Sequence, residues 1–153
     1  MKSNKILKGI RTGIKETAKY ILSHHEPREY SKCYLLKINN KKLFLCSRCL
    51  GIYIGIVLGI LIYLKFDLEV HTFYFLITLL PLFALLDWFF TKERIYIGNN
   101  LYRSISGCFL GTAYVLGLIQ FVRGFPDYYV LFTGLVYILI VLTGLYLLSR
   151  QKP

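Results

Sequence analysis

Acidic residues are scarce in this 153-residue chain: eight Asp and Glu stand against 19 Lys and Arg, and charged residues make up only 18%. A soluble domain of this size needs far more charge on its surface. Also missing are a Walker A loop, a G-x-S-x-G elbow and an H-E-x-x-H helix. Their absence removes the phosphate-loop, serine-elbow and zincin chemistries that those spacings support. Ser-His-Asp chemistry cannot be assembled convincingly from the residues present. The first 45 residues are polar and basic with no short apolar core near Met1, so no signal peptide is expected.

What the chain has in excess is apolar sequence, 56% of its residues, and it is clustered. Residues 50–64, 70–90, 105–122 and 128–148 form four runs of roughly 15 to 22 residues, near the length a helix needs to cross a bilayer's hydrocarbon core. A soluble reading would require four all-round apolar helices buried in a domain too small to cover them. The expected class is an all-α polytopic membrane protein with four transmembrane helices.

The net charge of +11 invites a nucleic-acid reading, but its distribution argues otherwise. Twelve of the 19 basic residues precede Leu50, opposed there only by Glu16, Glu26 and Glu29. Lys92, Arg94 and Arg103 lie around the second loop, and Arg150 and Lys152 at the C-terminus; the other two loops carry only Lys65 and Arg123. Basic residues gather on the cytoplasmic side of a membrane protein. The tally places both termini in the cytoplasm of a multi-pass cell-membrane protein and explains the charge without nucleic acid.

Ahead of the spans, residues 1–22 read as a basic amphipathic helix at the membrane interface. Ile6, Ile10, Ile14, Ala18 and Ile21 share one face, and Lys5, Lys8, Arg11, Lys15 and Lys19 spread over the rest. The segment CYLLKINNKKLFLC reads as a hairpin over 33–46 turning at Asn39 and Asn40. Pairing Ile38 with Lys41 sets Cys33 opposite Cys46 on a non-hydrogen-bonded pair, where facing Cα atoms lie about 4.5 Å apart. In the first span Gly51, Gly55 and Gly59 form one stripe, matched by Gly107 and Gly111 in the third. Small residues at that interval let membrane helices approach closely, so the first and third helices are expected to touch.

Residues 23–49 hold most of the chemistry. Cys46-Ser47-Arg48-Cys49 is a C-x-x-C, a spacing that serves either metal binding or redox chemistry. Cys33 across the hairpin adds a third thiol, and His24 or His25 can supply a fourth ligand. Three thiolates and an imidazole make a closed tetrahedral zinc site, structural rather than catalytic, and a cytoplasmic position keeps the thiols reduced. A dithiol oxidoreductase, a Cys33–Cys46 disulfide and unliganded buried cysteines compete for the same residues. The first two fit an oxidising face, and the charge tally puts them on the reducing one.

Further polar residues fall on the same side. Asp87 sits near the end of the second span, where an acid is costly unless paired. Arg103 is its expected partner, Asn99 and Asn100 precede that arginine, and Arg48 lies between the two cysteines. The set fits either an interhelical ion pair that fixes packing or a site for an anionic headgroup or phosphate, since Arg forks match phosphate oxygens. His71 reads as an interfacial residue and Cys108 as a small packing residue.

The motifs CSRCLGIYIG, LLDW and GNNLYRSISGCFLG together resemble the prokaryotic membrane family called domain of unknown function 2085, and SHHEPREYSKCY is similar to its archaeal branch. The family pattern matches His25, Cys46, Arg48, Cys49, Gly51, Tyr53 and Gly55, then Asp87, Asn99, Asn100, Arg103 and Gly107. Many relatives carry a Cys-His pair where this chain has His24-His25. The resemblance implies that these residues belong to one site; it names no activity.

The expected protein is therefore a four-span bundle over 50–153 with a His/Cys cytoplasmic cap over 23–49 clasped by zinc. Its expected partners are the lipid bilayer and an anionic lipid headgroup or a partner protein. An alternative is a membrane enzyme acting on a lipid-linked or phosphorylated substrate through Asp87, Asn99, Asn100 and Arg103. A third is a small-solute or metal-ion transporter, for which four spans are few and the membrane midplane offers no charged residue.

Overall fold

The computed structural model describes residues 27–38, 41–92 and 99–150. The expected interfacial helix over 1–22, His24 and His25, and the Asn39-Asn40 turn lie outside the described residues. A 3-10 turn (Pro27–Lys32) leads into strands β1 (Cys33–Ile38) and β2 (Lys41–Cys46). Four helices follow: α1 (Ser47–Lys65), α2 (Val70–Lys92), α3 (Asn100–Arg123) and α4 (Tyr128–Arg150). All four are long and apolar enough to cross a membrane. At 1.5 Å per residue α1 spans about 28 Å, close to the hydrocarbon thickness of about 30 Å.

Two helices begin earlier than the apolar runs suggest. The helix α1 starts at Ser47 rather than residue 50, so Cys49 lies in its first turn. The helix α3 starts at Asn100 rather than residue 105, because Asn99 caps it, its Oδ1 accepting the Leu101 N–H at 3.2 Å. Hydropathy marks where side chains turn apolar; backbone hydrogen bonding carries the helix further, into the polar boundary.

The hairpin has the register that its turn implies. Strands β1 and β2 pair antiparallel from Ile38↔Lys41 out to Cys33↔Cys46. Both cysteines are buried, and Tyr30 of the 3-10 turn stacks on Phe44 with ring centroids 3.9 Å apart.

Helices α1 and α3 run parallel and in close contact along the two glycine stripes. A Cβ at Gly51 would strike the Ser104 backbone, and one at Gly55 the Cys108 backbone. In return, a Cβ at Gly107 would strike the Arg48 carbonyl and one at Gly111 the Ile52 carbonyl. The closeness brings hydroxyls to opposing carbonyls: Ser104 Oγ donates to Ser47 O at 3.0 Å and Thr112 Oγ1 to Gly55 O at 3.0 Å. Such interhelical bonds supplement van der Waals packing where lipid offers no hydrophobic drive between helices.

The hub is α3, with half of its most apolar stretch buried against 6% for α4. A core of Phe73, Ile77 and Leu116 joins α2 to α3 in the half of the bundle away from the hairpin. Pro81 interrupts the hydrogen bonding of α2. One turn ahead of it, the Tyr137 hydroxyl of α4 donates to the Thr78 carbonyl. Helix α4 otherwise leans on α2 through Thr78 and Tyr129, 2.9 Å apart, and through Trp88 over Gly144.

Candidate functional site

The hairpin is fastened to the bundle mouth by side chains at the starts of α1 and α3. Ser47 Oγ donates to Lys32 O at 2.9 Å, and Asn100 Nδ2 donates to Ser31 O at 3.1 Å and more distantly to Cys33 O. Tyr34 OH donates to Ser104 Oγ at 3.1 Å, whose own proton goes to Ser47 O. Asn99 and Asn100, expected as ligand-binding residues, therefore cap a helix and tether the hairpin. Backbone carbonyls at a strand end need donors, and short amides and hydroxyls supply them.

The three thiols stand at this junction. Cys33 faces Cys46 across the hairpin, and the Cys49 side chain hydrogen-bonds to Cys46. None of the four cysteines forms a disulfide. Among the described residues, no three His, Cys, Asp or Glu side chains converge on one metal position.

Beneath the cap lies Asp87, its side chain 9% exposed. The sequence suggests Arg103 as its partner, but the structure supplies Arg48, whose Nη2 pairs with Asp87 Oδ2. The glycine seam is the reason: Gly107 lets the Arg48 backbone lie directly against α3, which carries the guanidinium to the α2 carboxylate. Ser106 Oγ sits 3.2 Å from the same Asp87 oxygen and 3.1 Å from Arg103 O. No sequence signal marked Ser106.

Arg103 is left over. It is 7% exposed, its Nε has no hydrogen-bond partner, and among the described residues it enters no ion pair. Arg48 Nε, Asn100 Oδ1 and Thr91 Oγ1 are likewise buried and unpartnered. Among the described residues these are all the buried side-chain polar atoms without a partner, and every one belongs to the capped end of the bundle. Native interiors leave few such atoms, and a concentration of them calls for an explanation.

A cavity of about 340 Å³ opens beside this cluster between α2 and α3. Asp87 and Ser106 form its polar wall, and Phe83, Phe90, Ile105 and Phe109 its apolar one.

At the opposite end Asp127 forms a second polar centre that the sequence reading did not single out. It is buried, and its Oδ1 accepts the Tyr129 and Val130 N–H groups at 3.0 and 3.2 Å, which caps α4. Its Oδ2 accepts from Tyr74 OH at 3.0 Å and Gln120 Nε2 at 3.2 Å. Burial pushes this carboxyl up, but the Val130, Tyr74, Gln120 and Tyr129 donors together hold it below the ordinary 3.8. Pro126-Asp127 just before an apolar run was the available signal, since Asp in that place is an N-cap.

No curated protein and no solved structure matches the chain. A family model, described as predicted membrane protein (DUF2085), matches residues 33–118, which take in the hairpin, α1, α2 and most of α3. That stretch is more than half of the chain and holds every residue of the Asp87 cluster, so the chain belongs to the DUF2085 family of predicted membrane proteins.

Proposed function

We propose that this membrane protein binds the phosphate of an anionic lipid headgroup at its capped end, without transforming it. The observation that carries this reading is Arg103, a residue more than nine-tenths buried whose Nε has no partner and which, among the described residues, enters no ion pair. Arginine does not shed its proton, so a buried one requires an anion. The cluster holds two guanidinium groups and one carboxylate, and a bound phosphate balances the surplus. The positive-inside tally supports a cytoplasmic position for this end.

In the same reading a zinc ion would clasp the cap by drawing together Cys33, Cys46, Cys49 and either His24 or His25, since the three thiols by themselves do not converge on one metal position. The burial of Cys33 and Cys46 face to face, with Cys49 bonded to Cys46, supports it. A closed thiolate site of this kind would stiffen the hairpin that Asn100 and Ser47 tether.

The test is thermal melting of the detergent-purified protein with phosphatidic acid against phosphatidylcholine. The phosphate monoester lipid should raise the melting temperature in wild type and not in Arg103→Gln. Equal response to both lipids, or an unchanged response in the variant, would sink the headgroup reading. Metal analysis under reducing conditions tests the clasp: less than one equivalent of zinc per chain removes it.

A second reading, an enzyme acting on a lipid-linked phosphorylated substrate, draws on the cleft beside Asp87 and Ser106. Asn99 caps α3 and Asn100 Nδ2 tethers the hairpin, which leaves it Asp87, Ser106, Arg103 and the unpartnered Asn100 Oδ1. Release of phosphate from a phosphorylated lipid, abolished in Asp87→Asn, would establish it over simple binding.

A further inference from the structure

We infer that the ligand is a single phosphorylated amphiphile that enters sideways from the bilayer, its phosphate between Arg48 and Arg103 and the first part of its chain in the α2–α3 cleft. This rests on the headgroup reading and adds where the chain goes.

The cleft and the charged cluster share a wall. Asp87 lines the cleft and pairs with Arg48, while Ser106 lines it with its hydroxyl within hydrogen-bond reach of both Asp87 and the Arg103 carbonyl. A polar end thus runs directly into an apolar slot, which is the profile of an amphiphile rather than of a free anion. The unpartnered atoms at the polar end come from three helices: Arg48 Nε from α1, Thr91 Oγ1 from α2, Arg103 Nε and Asn100 Oδ1 from α3. Two of them are cationic donors, and guanidinium pairs recognise phosphate oxygens in a fixed geometry.

The slot is reached from the side. Phe83, Phe90, Tyr102 and Ile105 are each between 42% and 61% exposed, on helix faces that meet lipid when the bundle spans a membrane. Its volume of about 340 Å³ falls at the lower end of the range for ligand pockets, about 300–1,000 Å³. That suits part of a chain, with the remainder left in the bilayer.

Two larger cavities compete and fail on chemistry. One of about 400 Å³ lies by Ile77, Pro81 and Val130, and another of about 580 Å³ lies between α2 and α4 by Trp88 and Gly144. Both are almost wholly apolar, and neither is lined by any of the unpartnered polar atoms. Lipid tails can fill them, but nothing there would orient a headgroup.

The experiment measures binding to the full chain in detergent by native mass spectrometry and melting shift. Its probes are dioleoyl phosphatidic acid, glycerol 3-phosphate and dioleoylglycerol. Phosphatidic acid should bind at least tenfold more tightly than either probe that carries only its phosphate or only its chains. Ile105→Trp, which fills the slot from a half-exposed position, should weaken phosphatidic acid at least tenfold and leave glycerol 3-phosphate unchanged. Phe90→Ala serves as a second slot variant, and Leu135→Trp on the exposed face of α4 as a control with no effect. Equal affinity for glycerol 3-phosphate and phosphatidic acid, or indifference to both slot variants, would overturn the chain placement while leaving the headgroup reading intact. Failure of every phosphate probe in wild type would remove both.

Discussion

Asp87 and Asp127 are two buried carboxylates at opposite ends of one bundle, and they are handled in opposite ways. Asp127 meets four neutral donors, two backbone N–H groups, a tyrosine hydroxyl and a glutamine amide, and no cation among the described residues. Asp87 meets a guanidinium and a serine hydroxyl, with a second guanidinium close along the chain from that serine. Around Asp127 no buried side-chain polar atom of the described residues lacks a partner; around Asp87 four of them do. A carboxylate whose hydrogen-bonding capacity is filled by its own chain is an architectural part, here the cap that starts α4. A cluster whose donors exceed its acceptors has room for something from outside. The contrast separates the two carboxylates more sharply than their burial does.

The largest expected effect breaks the ion pair. Arg48→Met leaves the Asp87 charge buried without its cation, a change that typically costs about 3–5 kcal/mol. Melting in detergent should drop accordingly. The double variant Arg48→Met/Asp87→Leu should recover most of the loss, since apolar replacement of a whole buried pair is often neutral or stabilising. If the double variant melts no higher than the single one, the pair is not what the substitution disturbs.

Next comes the other carboxylate. Asp127→Ala strips the α4 cap and leaves donors unsatisfied, for an expected loss of about 2–3 kcal/mol. It should leave phosphatidic acid binding at the capped end unchanged. Weakened binding in this variant would mean that the two ends are coupled.

Arg103→Met is expected to act in the other direction, raising the stability of the ligand-free protein by about 1–2 kcal/mol. It should also remove the lipid-induced melting shift. A fall in ligand-free stability would show that Arg103 supports the fold and has no surplus charge to offer.

The smallest effect is in pH. The folded Asp127 carboxyl lies below its ordinary 3.8 because its donors favour the anion over the burial that opposes it. Its contribution is complete above that ordinary value and declines as pH falls through it toward the folded value. Between pH 5 and pH 3 the wild-type melting temperature should therefore fall more than that of Asp127→Asn. Parallel curves would assign the acid sensitivity to other carboxylates.

Much of the architecture could be read in the chain. The four apolar runs became α1 to α4, with boundary shifts where Ser47 and Asn99 begin helices outside the apolar stretch. The hairpin register followed from counting outward from Ile38 and Lys41, and the facing glycine stripes foretold the α1–α3 contact. The site was less legible. Topology alone suggests Arg103 as the partner of Asp87, whereas the structure pairs Asp87 with Arg48. Asn99 caps α3 and Asn100 Nδ2 holds the hairpin backbone, which the sequence pattern does not announce, while Asn100 Oδ1 stays unpartnered. Ser106, Thr91 and Asp127 drew no notice, because a single small polar residue on an apolar helix carries no periodic signal.

The sequence by itself determined the features that depend on neighbours along the chain: helix length, span count, strand pairing and the stripes of small residues. These follow from period, turn chemistry and the cost of exposing backbone groups to lipid. Only the tertiary structure decided which side chains meet across helices, such as Arg48 with Asp87, 39 residues apart. That choice rests on how closely Gly107 and Gly111 admit α1, and so on which guanidinium reaches the carboxylate first. The other one, Arg103, remains buried and, among the described residues, outside any ion pair.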